Sequence, residues 1–217
     1  MQLAKRQRII APVGNAHWQV SSGEIAVHPY RKELLDLVRG ERVTFFTNAF
    51  IFNEDIAREL HDNPMAGINI SIDSGTAETW HKVKGVNNFP KVLENLVQYW
   101  KCSCRPGQIT VKYIVLPGIN DSDEDFISCI NVLKSLDVTS FSLSRDVRVQ
   151  HKLDTRAQSA AGEILDETCV YSASKLAALC KLVGIKPAVG GAYTSKERES
   201  INRLSDNIVR NIVIKNR

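Results

Sequence analysis

The feature that most limits what this chain can become is the alternation of short apolar runs with segments of helical periodicity. "HWQVS" precedes "PYRKELLDLVRG", where Leu34, Leu35 and Val38 recur at helical spacing and Gly40 stands where a C-cap would. "RVTFFTN" is β-branched and aromatic, as buried strands are. "NEDIARELHDN" follows it, with Asn53 as N-cap and acids in the first turn. "GINISID", "QITVKYIVL" and "VTSFSLS" read as three further strands. "NFPKVLENLVQYWK", "DSDEDFISCINVLKSLD" and "GEILDETCVYSASKLAALCKLVG" read as helices, the first with an apolar face at Val92, Leu96 and Tyr99, the second opened by Asp121 or Ser122. "IKPAV" is a candidate sixth strand, and "TSKERESINRLSDNIVRNIVI" a terminal helix with Thr194 and Glu197 spaced as a capping box. Repeated β-α units predict an α/β fold on a parallel sheet.

Composition narrows the class. The 217 residues, 43% of them hydrophobic and 24% charged, suffice for one domain with a real core. No run reaches the ~18 consecutive apolar residues of a membrane span. The apolar part after the basic start "MQLAKRQRII" is too short for a secretory signal, so a cytoplasmic location without membrane partners is expected. The net charge of +4 permits an anionic ligand but does not argue for nucleic acid. Five cysteines, an odd number, argue against a disulfide framework. Cys102 and Cys104 form a C-x-C, a poor metal signature without a second pair nearby, and no three cysteines are clustered.

The candidate site lies at the strand ends. The first strand gives Ser22, Gly23 and Glu24, and the second gives Thr47 and Asn48. The third gives Ser71 and Asp73. The fourth carries Lys112 and is followed by "PGIND", which contains Gly118; the fifth gives Ser142, Ser144 and Arg145. In a parallel sheet these C-terminal ends lie on one side, where α/β proteins bind ligands. Hydroxyls, amides and carboxylates there suit a ligand rich in hydroxyls and amines, and Arg145 or Lys112 suits a carboxylate. A charge in a strand is costly unless paired, so Asp73 and Lys112 are expected to line a cavity. The long polar loop from Val147 to Gly162 puts Arg148, His151 and Lys152 near Arg145 and Asp146, as a grip on an anionic substrate or as a solvated surface.

The order of these elements resembles the radical SAM superfamily over about Trp18 to Ser144. "SSGEIAVHP", "FFTNAF" and "FPKVLENLVQY" carry part of the likeness; "SIDSGTAETWHKVKG" and "KYIVLPGINDSDEDF" are its specific parts. The resemblance implies a partial parallel (β/α)6 barrel holding S-adenosylmethionine (SAM) across the strand C-termini. It places Ser22, Gly23 and Glu24 on the family's Gly-Gly-Glu element, which receives the methionine amino group. It places Thr47 and Asn48 on a strand end that reads Thr-Asn-Gly in relatives, with Ala49 in place of the glycine. Ser71 and Asp73 fall near the ribose and methionine moiety, Lys112 near the SAM carboxylate or the substrate, and Gly118 on a turn near the adenine. Ser144 and Arg145 lie at the next strand end.

The family also implies a [4Fe-4S] cluster on a C-x3-C-x2-C motif, and this sequence has no such motif. Cys102 and Cys104 precede the fourth strand, at its far end from the mouth. The expectation is a radical SAM core lacking its first βα unit and inactive alone. Within it, residues 1–15 form a lead-in, 16–190 the βα repeats and 191–217 a C-terminal helix. Two other readings stand beside it: a SAM- or nucleotide-binding module without radical chemistry, and an unrelated parallel α/β enzyme using Glu24, Asp73 and Lys112. The substrate and the oligomeric state are not legible.

Overall fold

The computed structural model describes residues 17–20, 24–146, 166–190 and 192–215. The lead-in over residues 1–15, Ser22, Gly23 and the loop positions Arg148, His151 and Lys152 lie outside the described residues. Six strands form a parallel sheet in chain order: β1 (Trp18–Val20), β2 (Val43–Thr47), β3 (Ala66–Ser71), β4 (Ile109–Val115), β5 (Ser140–Arg145) and β6 (Lys186–Val189). The helices are α1 (Arg31–Val38), α2 (Glu54–Asp62), α3 (Ala77–Lys84), α4 (Phe89–Cys102), α5 (Asp123–Ser135), α6 (Glu167–Leu182) and α7 (Ser195–Lys215). This is the α/β class that the alternation predicts, and "IKPAV" does supply the sixth strand. Helix α3 is an addition: with eight residues and only Ala77, Trp80 and Val83 apolar, it is too short to show a helical period in "TAETWHKVKG". The contacts divide the chain into two compact units, residues 1–71 with 90–110, and 72–89 with 111–217.

In the first unit, β2 pairs parallel with β1 and β3, Trp18 facing Val43 and Val43 facing Ala66. Strict alternation splits each strand. Val43, Phe45 and Thr47, then Ala66, Ile68 and Ile70, are buried, while Thr44, Phe46, Gly67, Asn69 and Ser71 are half-buried. The buried set shares a core with Ile56 and Leu60 of α2 and Val92, Leu96 and Tyr99 of α4. Each such side chain contributes roughly 1.5–3 kcal/mol of burial. Helix α2 starts where its sequence says, since the Asn53 side chain accepts from the amides of Asp55 and Ile56.

In the second unit, β4 alternates in the same way, and β5 does so until its last three residues, Leu143, Ser144 and Arg145, which are all buried. Tyr113 and Phe141 are fully buried and their rings lie 6.4 Å apart, with Phe126 of α5 5.8 Å from Tyr113. Lys112 and Ser142 are half-buried on the alternate positions. Ser122 caps α5 by accepting from the Asp125 amide. Thr194 and Glu197 close the capping box of α7: the Thr194 amide donates to Glu197 at 2.9 Å and the Glu197 amide to Thr194 at 3.2 Å.

Candidate functional site

In the first unit the chain folds two of the expected site residues, Thr47 and Asn48, onto the carboxylate of a third, Glu24. Glu24 caps a 3-10 turn over Ile25–Val27. Its Oε1 accepts from the Thr47 hydroxyl at 2.7 Å and the Ala26 amide at 3.3 Å; its Oε2 accepts from the Asn48 amide at 2.8 Å. The end of β2 is shaped to present those donors. Thr47 Oγ1 accepts from the Ala49 amide, and Asn48 Oδ1 from the Phe50 amide. Ala49 sits in the left-handed region at φ 55°. From α4, the Asn95 side-chain amide donates to the carbonyls of Ala49 and Phe50, and the Tyr99 hydroxyl accepts from the Asn53 amide. Burial pushes the Tyr99 phenol up to about 12. Among the described residues no cation meets Glu24. A half-buried carboxylate with donors on both oxygens and lone pairs to spare is an acceptor for an ammonium group. Ser71 closes β3 in this unit, half-buried.

The second unit treats its expected residues differently. Asp73 is buried; it pairs with Lys84 of α3 at 2.6 Å and accepts from the Ile114 amide at 2.8 Å. Lys84 also stands over the Trp80 ring, 5.6 Å from its centroid. Nothing in the sequence singled out Lys84, eleven residues downstream of its partner. Lys112 is half-buried, and among the described residues its side chain has no counter-ion. Gly118, at φ 77°, opens a turn that Asn120 locks from within. The Asn120 side chain donates to the carbonyls of Asp73 and Ile114 and accepts from the Leu116 amide. Beside the turn lies a hollow of 390 Å³ lined among others by Thr76, Lys82 and Gly118 and by the carboxylates of Glu78, Asp121 and Glu124. Asp125 is buried under it and accepts from the amide and hydroxyl of Thr76 and from the Tyr113 hydroxyl. That burial and the Asp125 charge push the Tyr113 phenol far up.

Ser144 and Arg145 are buried at the end of β5, and among the described residues Arg145 Nε and Nη1 have no hydrogen-bond partner. Ser144 is buried, with its carbonyl accepting from the Tyr193 hydroxyl. Arg145 is 1% exposed, bonded to the fully buried Glu197 at 2.7 Å and stacked 5.0 Å from the Tyr193 ring. A guanidinium so enclosed holds α7 against the strand end.

The thiols do not fit an iron-sulfur cluster, which takes three or four thiolates converging on one site. Cys129, Cys169 and Cys180 are buried on helices, Cys102 closes α4 and Cys104 is exposed. Among the described residues no group of three His, Cys, Asp or Glu is placed to hold a metal ion. Nor, among them, is any helix long and apolar enough to cross a membrane.

Comparison with known proteins bears on these strand ends. A family model described as the radical SAM superfamily matches residues 2–130. A GTP 3',8-cyclase of Acaryochloris marina is 28% identical over 127 residues, which make up 53% of this chain and 37% of that protein. A GTP 3',8-cyclase of Psychromonas ingrahamii is 28% identical over 119 residues, 53% of this chain and 34% of that protein. The chain therefore spans little more than a third of the length of these relatives. Among solved structures, a domain of pyruvate-formate lyase-activating enzyme from Bacteroides vulgatus matches with a TM-score of 0.58 at 16% identity, over 82% of this chain and 100% of that one. Streptococcus suis SuiB bound to precursor peptide SuiA matches with a TM-score of 0.59 at 12% identity, over 80% and 38%. At these identities the structural likeness is one of fold.

Proposed function

The chain belongs to the radical SAM superfamily, and we propose that its Glu24 strand end receives the amino group of S-adenosylmethionine. One observation carries the reading: Glu24 is fixed by the Thr47 hydroxyl and the Asn48 amide, yet has no cation among the described residues. An ammonium group supplies the missing charge through a charge-assisted hydrogen bond. In the second unit, Lys112 is the corresponding open cation, suited to an anionic group of a ligand. Radical cleavage of the sulfonium in this family needs an electron from a [4Fe-4S] cluster. The thiols placed here do not hold one, so the function these residues support is binding. Family membership takes the place of the reading as an unrelated α/β enzyme. A cytoplasmic setting belongs to the same proposal, supported by five free cysteines.

The test is equilibrium binding of SAM and of 5'-methylthioadenosine, which lacks the amino acid portion. Glu24→Gln is expected to weaken SAM by roughly 10- to 100-fold, the equivalent of one hydrogen bond to a charged group at about 1.5–3 kcal/mol. It should leave 5'-methylthioadenosine unchanged. Equal SAM affinity in the two proteins, with circular dichroism showing both folded, would remove Glu24 from the site.

A further inference from the structure

We propose that the first unit carries a second, anion-selective site at the opposite ends of its strands, taking a tetrahedral oxyanion such as inorganic phosphate or the phosphoryl group of a small phosphate ester. A hollow of 160 Å³ lies there, lined among others by His17, Arg42, Thr44, Gly67, Arg105 and Thr110. His17 and Arg42 immediately precede β1 and β2, and Gly67 is the second residue of β3, so the hollow sits at strand N-termini. Glu24 lies beyond the C-terminus of β1. The site is therefore independent of the SAM reading and stands or falls without it.

The charge balance is one-sided. Two guanidinium groups and an imidazole line the hollow, and among the described residues no carboxylate lines it. Among the described residues Arg42 has no side-chain partner. Arg105 is held in place without being neutralised: its Nε donates to the Pro64 carbonyl and its Nη1 to the Pro106 carbonyl at 3.2 Å, which leaves Nη2 available. His17 is oriented by a 2.9 Å bond from its Nε2 to Thr44 Oγ1.

The rim is rigid. Gln108 is 2% exposed. Its Oε1 accepts from the Cys104 and Arg105 amides, and its Nε2 donates toward the carbonyls of Leu60, Asn63 and Ala66. Gly67 keeps the hollow open: a Cβ there would meet the Gln108 carbonyl at 3.3 Å and Thr44 Oγ1 at 3.8 Å. Arg105 is already held in place, so it costs little reorganisation when an oxyanion enters, and Arg42 adds a second guanidinium at the rim. The volume falls below the ~300–1,000 Å³ of clefts that take whole drug-sized ligands, so it admits one oxyanion group and not an entire nucleotide.

The experiment is a calorimetric titration with inorganic phosphate at constant ionic strength in chloride. Glycerol phosphate and acetate serve as the ester and planar-carboxylate probes. Saturable phosphate binding is expected, weakened at least tenfold by Arg42→Gln and again by Arg105→Gln, and lost in Gly67→Val. Comparable binding of glycerol phosphate assigns the site to a phosphoryl group; binding of inorganic phosphate alone assigns it to the free ion. Arg42→Gln removes an exposed side chain that has no partner among the described residues, so the fold is not at stake. Phosphate heats no larger than those of acetate, or binding untouched by Arg42→Gln, would overturn the proposal.

Discussion

The Asn95 side-chain amide donates to the carbonyl of Ala49 at 2.8 Å, and Ala49 is held in the left-handed region at φ 55°. That conformation costs an L-residue roughly 1–2 kcal/mol. Asn95 is fully buried, and its second bond, to Phe50, holds the next peptide of the same turn. The turn in turn sets the Asn48 amide against Glu24. Ala49→Gly should therefore stabilise the protein. The relief of strain exceeds the roughly 0.4–1 kcal/mol of added unfolded-state freedom, leaving about 0.5–1 kcal/mol. In a chain of this length that raises the melting temperature by about 1–4 °C. A lowered midpoint would mean that the alanine methyl makes a contact worth more than the strain. Asn95→Ala should act the other way, since it leaves two carbonyls unpaired at about 1–3 kcal/mol.

Asp73 and Lys84 make the next prediction. The Asp73 side chain is 3% exposed and that of Lys84 25%. Lys84→Met strands a buried carboxylate, and a broken buried pair costs about 3–5 kcal/mol. The partial exposure of Lys84 brings the expectation down to about 2–3 kcal/mol. Asp73→Asn keeps the bond from the Ile114 amide, and the double variant Asp73→Asn with Lys84→Met should recover part of the loss. Strictly additive losses in a double-mutant cycle would show that the pair is not coupled.

These two sites mark how far the sequence could be read. The strands were legible because period-two alternation and β-branched runs report burial directly, and Asn53, Ser122 and the Thr194–Glu197 box announced their helices. The meeting of Glu24, Thr47 and Asn48 was expected only through resemblance, since no local rule brings residue 24 to residue 48. The pairings of Lys84 with Asp73, Asn95 with Ala49 and Glu197 with Arg145 are not legible in the sequence, because each partner lies eleven to fifty-two residues away and is reached through tertiary packing. The resemblance sets a glycine against Ala49, and the φ of 55° found there is one that glycine adopts most freely.

Alkaline pH should loosen the fold in a defined window. Burial raises the Tyr99 phenol from 10.0 to about 12 and the Cys180 thiol from 9.0 to about 12. In the unfolded chain both groups lose their protons first, so the stability that their burial confers is complete below about pH 9 and declines as pH climbs toward 12. Urea midpoints at pH 8, 10 and 11.5 should fall in that order, and Cys180→Ala should flatten the part of the decline that starts near pH 9. A flat profile would contradict the burial. The same burial predicts that, at pH 8, a thiol reagent labels exposed Cys104 rapidly, while Cys129, Cys169 and Cys180 wait for denaturant.

Two glycines of the second unit should fail for different reasons when replaced. A Cβ on Gly75 would lie 1.8 Å from the Asp125 carbonyl oxygen and 2.7 Å from the Cys129 amide nitrogen, both backbone atoms of α5. A helix backbone cannot yield by rotating a side chain, so either α5 or the loop after β3 has to move. The loop is tied to α5 by the bonds from Thr76 to Asp125, which such a shift would break. Gly118 has open space around its Cβ position and only its φ of 77° to defend. Gly118→Ala should then cost about 0.5–1 kcal/mol, the left-handed penalty less the unfolded-state freedom that the glycine gives up. Gly75→Ala should cost more than about 3 kcal/mol, beyond ordinary overpacking, because the clash is with main chain. Denaturant unfolding of the two variants decides the matter. Equal costs would show that α5 does not press on the loop after β3 as closely as the fold requires.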